Sequence, residues 1–185
     1  PGVEMLSPAD VAKALGVQAV YANHDYEPAA RDRDAAVAHD LADRGIALQT
    51  RKDHVIFERA EVLAQSGKPF SVFTPYKNAW LRMLTPFHLK SYPVARYAGA
   101  LARPPAAVGG AIPALEAMGF ARTNLRAVGV VPGMSGGAAL AADFRTRIDA
   151  YRAARDFPAV KGPSYLSVHL RFGTVSIREL AAFAH

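Results

Sequence analysis

The sequence contains no cysteine, only one tryptophan, and no apolar run of the roughly 18 residues that a membrane-spanning helix requires. The lack of cysteine excludes disulfide bonds and thiolate metal sites, and it fits a reducing compartment. We therefore expect a chain that does not enter a membrane and that works in the cytoplasm.

Acidic residues are also in the minority. The chain has 22 Lys and Arg against 16 Asp and Glu, which gives a formal net charge of +6. A basic surface favours a polyanionic partner such as nucleic acid. A merely soluble surface explains the same excess equally well. With 51% hydrophobic residues the chain is ordinary globular material, so composition alone leaves the function open.

Helix and strand patterns alternate in the first part of the chain. The predicted segments are a helix at 8–15 with Ser7 as its N-cap, a buried strand at 17–23, a helix at 28–44, a strand from Ile46 and a third strand piece at 54–57. Strand–helix–strand spacing of this kind forms a βαβ unit with parallel strands. The predicted fold class is α/β, a partial open parallel sheet with flanking helices of the Rossmann-like type.

A further helix is predicted to start at Thr74, because a hydroxyl residue followed by Pro75 is a typical helix beginning. Tyr76, Trp80 and Leu84 then share one face of that helix. We expect Trp80, the single tryptophan, to pack in a core rather than to carry electrons.

Periodicity fades after residue 86, where Pro and Gly accumulate. The three predicted regions are a partial α/β domain at 1–88, an interdomain connector at 89–136 and the first helices of an all-α domain at 137–185. We expect apolar connector residues such as Tyr97 to pack on the first domain. Apolar residues at helical spacing predict that the third region begins with one helix over 137–155.

The clearest chemical pattern lies in residues 151–179. The predicted order is a helix ending near Arg155, a second helix opened by Gly162-Pro163-Ser164 and closed by Gly173, and a third capped by Ser176 and Glu179. Hydroxyls and free N–H groups at the mouth of a helix form an anion site, because unpaired amides and the helix dipole both favour negative charge. The residues predict a phosphate cradle beside Tyr151 and the basic side chains Arg152, Arg155 and Lys161. An ordinary turn between two helices explains the same residues without a ligand.

Three segments resemble motifs of the DNA photolyase/cryptochrome family and occur in the family's order. They are residues 23–34 (NHDYEPAARDRD), 72–80 (VFTPYKNAW) and 155–180, in which RDFP, GPSYLS and HLRFGTVSIREL follow one another. The resemblance implies that the chain is an internal piece of a longer flavoprotein. It would comprise the end of an α/β antenna domain, a connector, and the start of a helical FAD-binding domain.

The resemblance also implies which residues hold the cofactor. The family's FAD contacts fall on Tyr151, Ser164, Tyr165, Leu166 and Ser167. Backbone amides and hydroxyls of this segment would bind the FAD pyrophosphate. Pro163 stands where the family usually has Thr, so this chain lacks one hydroxyl and one N–H there. We expect a weakened cradle.

Two further positions carry implied roles in binding DNA and an antenna chromophore. Arg155 lies where the family has an Arg near the lesion-bearing DNA strand, and its implied role is a phosphate contact; an ion pair with Asp156 is the alternative. Ala29 and Ala30 occupy the positions where folate-using members place an Asn-Glu pair. A folate antenna is therefore not expected, and the identity of any antenna stays open.

The function implied by the resemblance is that of a monomeric deoxyribodipyrimidine photolyase, a light-dependent carbon–carbon lyase. Reduced FAD would pass one electron to a pyrimidine dimer in damaged DNA. No catalytic residue is expected within this segment, and the segment alone is expected to be inactive. A cryptochrome-type blue-light photoreceptor and an unrelated α/β nucleotide-binding domain are the alternatives.

Overall fold

The computed structural model describes residues 6–103, 105, 112–125 and 127–185. These residues fall into two compact units, which we treat separately. The sheet unit comprises the described residues within Pro1–Asp53 and Pro93–Ile112, and the helical unit those within His54–Tyr92 and Pro113–His185. Among the described residues, no helix combines the length and apolar character needed to span a bilayer.

The sheet unit contains the predicted βαβ arrangement. Its elements are α1 (Pro8–Ala14), β1 (Ala19–Asn23), α2 (Pro28–Ala42), β2 (Ala47–Arg51) and a 3-10 helix at Val94–Ala100. β1 and β2 are parallel, with Ala19 opposite Ala47 and Asn23 opposite Arg51. The α/β class and the parallel pairing are therefore confirmed. Within the described residues the sheet has two strands.

The start of α1 follows directly from its sequence. The Ser7 hydroxyl accepts a hydrogen bond from the Asp10 N–H at 3.1 Å, and the Asp10 carboxylate accepts one from the Ser7 N–H at 3.4 Å. This reciprocal pair satisfies two amides that the helix itself cannot pair. Pro8 occupies the first helical position, where its missing N–H is not needed. Gly16, at a φ of +62°, turns the chain out of the helix.

The core of the sheet unit forms between the two helices and one face of the sheet. Its buried residues are Ala9, Ala12, Leu41 and Ile46, with Val17, Val20, Val37 and Leu48 packed around them. The strand predicted at 17–23 is present as β1, but the expectation that it is buried is wrong, because its residues are half-buried or exposed and the described helices cover one of its faces. Tyr21 points to the other face and is 73% exposed.

The helical unit is built from short elements. They are α3 (Phe73–Met83), α4 (Pro86–Leu89), a 3-10 helix at Glu116–Met118, α5 (Gly133–Arg145), a 3-10 helix at Ile148–Ala150, α6 (Tyr151–Ala154), α7 (Ser167–Arg171) and α8 (Ile177–Ala184). α3 begins one residue before the predicted Thr74, with Val72 as its N-cap, so Pro75 lies within its first turn. Pro is tolerated there because first-turn amides have no partner within the helix.

Residues 54–57, predicted as a third strand, form irregular bends instead. Their apolar side chains pack on helices rather than in a sheet. The Phe57 ring meets Trp80 edge-on, with centroids 5.5 Å apart, and lies 4.7 Å from the His88 ring. The prediction that Trp80 serves packing is confirmed.

The helix predicted over 137–155 is wrong in both its start and its continuity. α5 already begins at Gly133 and ends at Arg145. The Thr146 hydroxyl donates to the Asp143 carbonyl at 2.8 Å and so competes with the helical ladder at this point. Because of this break, Tyr151 starts a separate short helix and does not continue the apolar stripe of α5.

Most of the apolar side chains that the structure describes in the predicted connector are exposed, contrary to the expectation that they pack. Tyr97 is 60% exposed and Leu101 is 78% exposed. The described elements here are short 3-10 helices, which are too brief to present a continuous apolar face to a neighbour.

Candidate functional site

The loop between α6 and α7 contains the predicted phosphate cradle. α7 begins at Ser167, so the prediction that Gly162-Pro163-Ser164 opens a helix is wrong. Pro163 lacks an N–H, and Tyr165 has a φ of +58°, which no right-handed helix accommodates. The end of this helix is as predicted, because Gly173, at a φ of +63°, follows its last turn.

Gly162 allows this loop to lie directly against the end of α6. A Cβ atom at Gly162 would sit 2.7 Å from the carbonyl carbon and oxygen of Ala154 and 2.8 Å from the Arg155 nitrogen. Side-chain carbon atoms are not found this close to backbone, so only glycine fits here. The contact brings the loop next to Arg155, a neighbour that the sequence alone does not reveal.

The predicted cofactor residues differ in how they face solvent. Leu166 is buried at 3% exposure, and its N–H points to the Ser164 hydroxyl at 3.4 Å. Tyr165 and Ser167 are exposed. Within the described part of the chain, the N–H groups of Ser167 and Val168 have no hydrogen-bond acceptor. Donors are therefore available to an anion in the first turn of α7.

Tyr151 and Arg155 occupy one side of α6 together. The Arg155 guanidinium lies 5.6 Å from the centroid of the Tyr151 ring, and that ring meets Phe144 edge-on at 6.0 Å. Arg155 Nε is also 3.5 Å from an Asp156 carboxylate oxygen. Both partners of this ion pair are largely exposed, and such pairs add little stability. Arg155 is thus held near the aromatic ring while its charge stays accessible.

The charged cluster of Asp143, Arg147 and Lys161 was not identified from the sequence. Arg147 Nη2 and Nε lie 2.7 and 3.1 Å from one Asp143 oxygen, and Lys161 Nζ lies 3.0 Å from the other. The hydrogen bonds from Arg147, and then from Lys161, hold the pKa of Asp143 below its ordinary value of 3.8. The i,i+4 spacing of Asp143 and Arg147 is a detectable signal, whereas the approach of Lys161 depends on the fold.

Replacing Asp143 with Asn is expected to lower stability at neutral pH but not in acid. A carboxyl with a depressed folded pKa contributes stability that is complete above its unfolded pKa, near 3.8, and is lost as the pH falls through the lower folded pKa. The urea midpoints of wild type and D143N should therefore differ at neutral pH and converge below that range. D149N, at an exposed position of the same region, is the control. A gap that persists unchanged in strong acid would contradict the assignment.

His169 is a packed histidine, one of the two alternatives that its helical position allows. It is 3% exposed, and its Nδ1 lies 2.8 Å from the Thr174 hydroxyl oxygen. A Cβ at Gly137 would come within 3.2 Å of the same nitrogen. This histidine therefore joins α5 to α7 and the turn that follows α7.

Polar residues at the exit of β1 stabilise the turn there. His24 Nε2 is 2.9 Å from the Thr50 hydroxyl oxygen, and the Asp25 carboxylate accepts the Tyr26 N–H at 2.7 Å. Arg33 pairs with its neighbour Asp34 at 2.7 Å. In the described ranges no cluster of His, Asp and Glu is arranged to hold a metal ion.

The sequence is similar to those of known photolyases and cryptochromes. Residues 8–95 match the DNA photolyase family. A deoxyribodipyrimidine photo-lyase of Vibrio cholerae serotype O1 is 32% identical over 94% of this chain and 36% of its own length. Cryptochrome-2 of Arabidopsis thaliana is 34% identical over 40% of this chain and 12% of its own length.

The fold has a counterpart among solved structures. The crystal structure of a bacterial class III photolyase from Agrobacterium tumefaciens superposes with a TM-score of 0.67 at 23% identity, covering 94% of this chain and 36% of that one. The chain thus spans about a third of the length of these photolyases. The three motifs in their order, the α/β arrangement and these comparisons agree: the chain is similar to DNA photolyases over 94% of its length, and its residues 8–95 match the DNA photolyase family.

Proposed function

We propose that the protein containing this chain is a light-dependent deoxyribodipyrimidine photolyase that binds FAD and acts on pyrimidine dimers in damaged DNA. The observation that carries the proposal is the extent of the similarity. The Vibrio cholerae photo-lyase matches 94% of the chain, whereas the Arabidopsis thaliana cryptochrome matches 40%. The whole-chain match favours a photolyase over a photoreceptor.

The flavin site proposed here is the first turn of α7 with the loop before it. The N–H groups of Ser167 and Val168 and the hydroxyls of Ser164 and Ser167 would hold the diphosphate, because amides without protein acceptors favour a negative group. Tyr165 and Leu166 shape the loop, and Tyr151 flanks it. Bound FAD would supply light absorption and one-electron transfer to the dimer. Pro163 contributes neither N–H nor hydroxyl.

Arg155 is the proposed contact to DNA in this chain. Its side chain is about half exposed and lies over the Tyr151 ring. The ion pair with Asp156 is exposed, so a DNA phosphate would replace Asp156 as the partner of Arg155. A phosphate contact of this kind positions DNA and carries no sequence information. The net charge of +6 supports such a partner.

The test uses the full-length protein and measures FAD binding and light-dependent repair of dimer-containing DNA. Wild type should bind FAD and repair dimers under blue light but not in the dark. Y151A should bind FAD about tenfold more weakly, because an aromatic contact contributes on the order of 1 kcal/mol. Y97A, which removes an exposed tyrosine from the sheet unit, should leave FAD binding unchanged.

The outcomes of this test separate the candidate functions. Tight FAD binding without repair would favour a cryptochrome-type photoreceptor, and no FAD binding would favour an unrelated α/β nucleotide-binding domain. The cytoplasmic location and the monomeric state stay predictions. With Ala29 and Ala30 at the folate positions, a non-folate antenna or none is proposed.

A further inference from the structure

We propose that Arg147 is a positioning residue for the flavin cradle. It binds three consecutive backbone carbonyls of the loop before α7 and so keeps their oxygens away from the diphosphate. This inference rests on the proposed function, since it assigns a role within the same FAD site. Arg147 itself would touch neither flavin nor DNA.

The geometry of the Arg147 side chain supports this role. Its Nη1 donates to the Lys161 carbonyl and, at 3.3 Å, to the Gly162 carbonyl, while Nη2 donates to the Pro163 carbonyl at 3.3 Å. Carbonyls of consecutive residues in an extended chain point to alternate sides. For three in a row to meet one guanidinium, the loop must curl around it.

The guanidinium is itself fixed from the opposite side. Asp143 accepts from its Nε and Nη2, and the Phe144 ring centroid lies 5.6 Å from its central carbon. The Arg147 side chain is only 20% exposed, so these hydrogen bonds are partly shielded from water. Lys161 adds a second cation to Asp143 and ties the start of the loop to α5.

The electrostatic consequence concerns the ligand. A diphosphate requires N–H and hydroxyl donors, and carbonyl oxygens beside it would repel it. Pro163 removes one donor from the loop and cannot anchor it through an N–H. With the carbonyls of residues 161–163 occupied by Arg147, the groups left to face an anion include the hydroxyls of Ser164 and Ser167 and the amides of Ser167 and Val168. Arg147 thereby orients a loop that its own sequence leaves poorly anchored.

Only arginine has the donor geometry that this role requires. Its planar fork offers five N–H donors in fixed directions, whereas the lysine ammonium is a compact charge with three. Lysine at position 147 could keep the ion pair with Asp143 but could not bind all three carbonyls at once. R147K therefore separates the charge of the side chain from its positioning role.

The experiment compares wild type, R147A, R147K and R145A in the full-length protein. Arg145 ends the same helix but pairs with Glu179 at 3.2 Å and stacks on Phe183, so R145A is the matched control. Three quantities are measured: the FAD dissociation constant, the amide hydrogen exchange of residues 161–168 in the flavin-free protein, and the melting temperature. R147A should weaken FAD binding and speed loop exchange by about ten- to a hundredfold, since hydrogen bonds to a charged group each contribute roughly 1.5–3 kcal/mol. R147K should restore part of the FAD affinity and part of the loop protection that R147A loses, and R145A should match wild type in both.

Two results would overturn the role of Arg147. One is a folded R147A protein that binds FAD and exchanges its loop amides as wild type does. If R147A does not fold, R147K decides, and wild-type affinity and exchange in R147K overturn the proposal. If the wild-type protein itself does not bind FAD, the proposed function is wrong, and the role of Arg147 is rejected together with it.

Discussion

Replacing Gly136 with Ala is expected to unfold the helical unit or to force α5 away from the chain before it. A Cβ at this position would lie 1.8 Å from the Val131 carbonyl oxygen and 2.6 Å from its carbon, with the His169 ring at 3.2 Å. The obstacle is backbone, which cannot rotate aside as a side chain can. Overpacking of a core typically costs about 1–3 kcal/mol, and we expect at least the upper end of that range here. Urea unfolding followed by circular dichroism measures it.

The matched control for this substitution is G99A. Gly99 has no heavy atom within 4 Å of a built Cβ and does not have a positive φ, so alanine fits without strain. We expect G99A to stay within about 0.5 kcal/mol of wild type. If G136A unfolded at the wild-type midpoint, the close contact between α5 and Val131 would be wrong. Because His169 lies against the same glycine, loss of this packing should also disturb α7, where the FAD site is proposed.

Leu41→Ala is expected to have the second largest effect, and it acts on the sheet unit. Leu41 is 0% exposed and lies among Ala9, Ala12 and Ile46, the other buried members of that core. Truncating a buried leucine removes its apolar contacts and leaves a cavity, which together cost about 2–5 kcal/mol. A unit with so few large buried residues has little else to compensate. The measurement is the free energy of unfolding from urea titration.

Leu15→Ala is the matched control, because it makes the same leucine-to-alanine change at a partly exposed position. Leu15 follows α1 and is 38% exposed, so its truncation should cost less than about 1 kcal/mol. Because the chain has two compact units, each should be followed by its own probe, such as hydrogen exchange of peptides from β1 and from α8. Equal effects of L41A and L15A would contradict the assignment of the core.

Local signals in the sequence predicted the sheet unit well. The start of α1 depends on Ser7, Pro8 and Asp10, all within one turn, and strand and helix periods differ enough to be read directly. The parallel pairing of β1 and β2 followed from the helix between them. The extent of burial did not follow, since whether Tyr21 is covered depends on which other elements reach that face of the sheet.

The helical unit was harder to predict because its decisive contacts join distant residues. Gly136 and Gly137 resemble loop glycines in the sequence, yet they lie buried in α5. There the Val131 backbone and the Val175 side chain leave no room for a larger residue. The break after Arg145 depends on the hydrogen bond from the Thr146 hydroxyl to the Asp143 carbonyl, and a threonine hydroxyl is not part of hydrophobic periodicity.

The candidate site shows the same division. Resemblance placed Tyr151 and the segment from Ser164 to Ser167, and the structure adds that α7 starts only at Ser167. It also adds that Leu166 is buried rather than open to a ligand. The role of Arg147 could not be predicted from the sequence, because its partners in the loop are backbone carbonyls. Every residue has a carbonyl, so such contacts give no sequence motif.

β1 and β2 each have one strand neighbour within the described residues, so the outer side of each strand has no ladder partner there. The unpaired N–H and C=O groups of such sheet edges can form hydrogen bonds with any extended chain that reaches them. A pair of strands alone is only marginally stable in water, and Tyr21 adds an apolar side chain on the open face. The solubility of residues 1–185 in vitro should therefore depend on whether another strand pairs with the edges of this sheet.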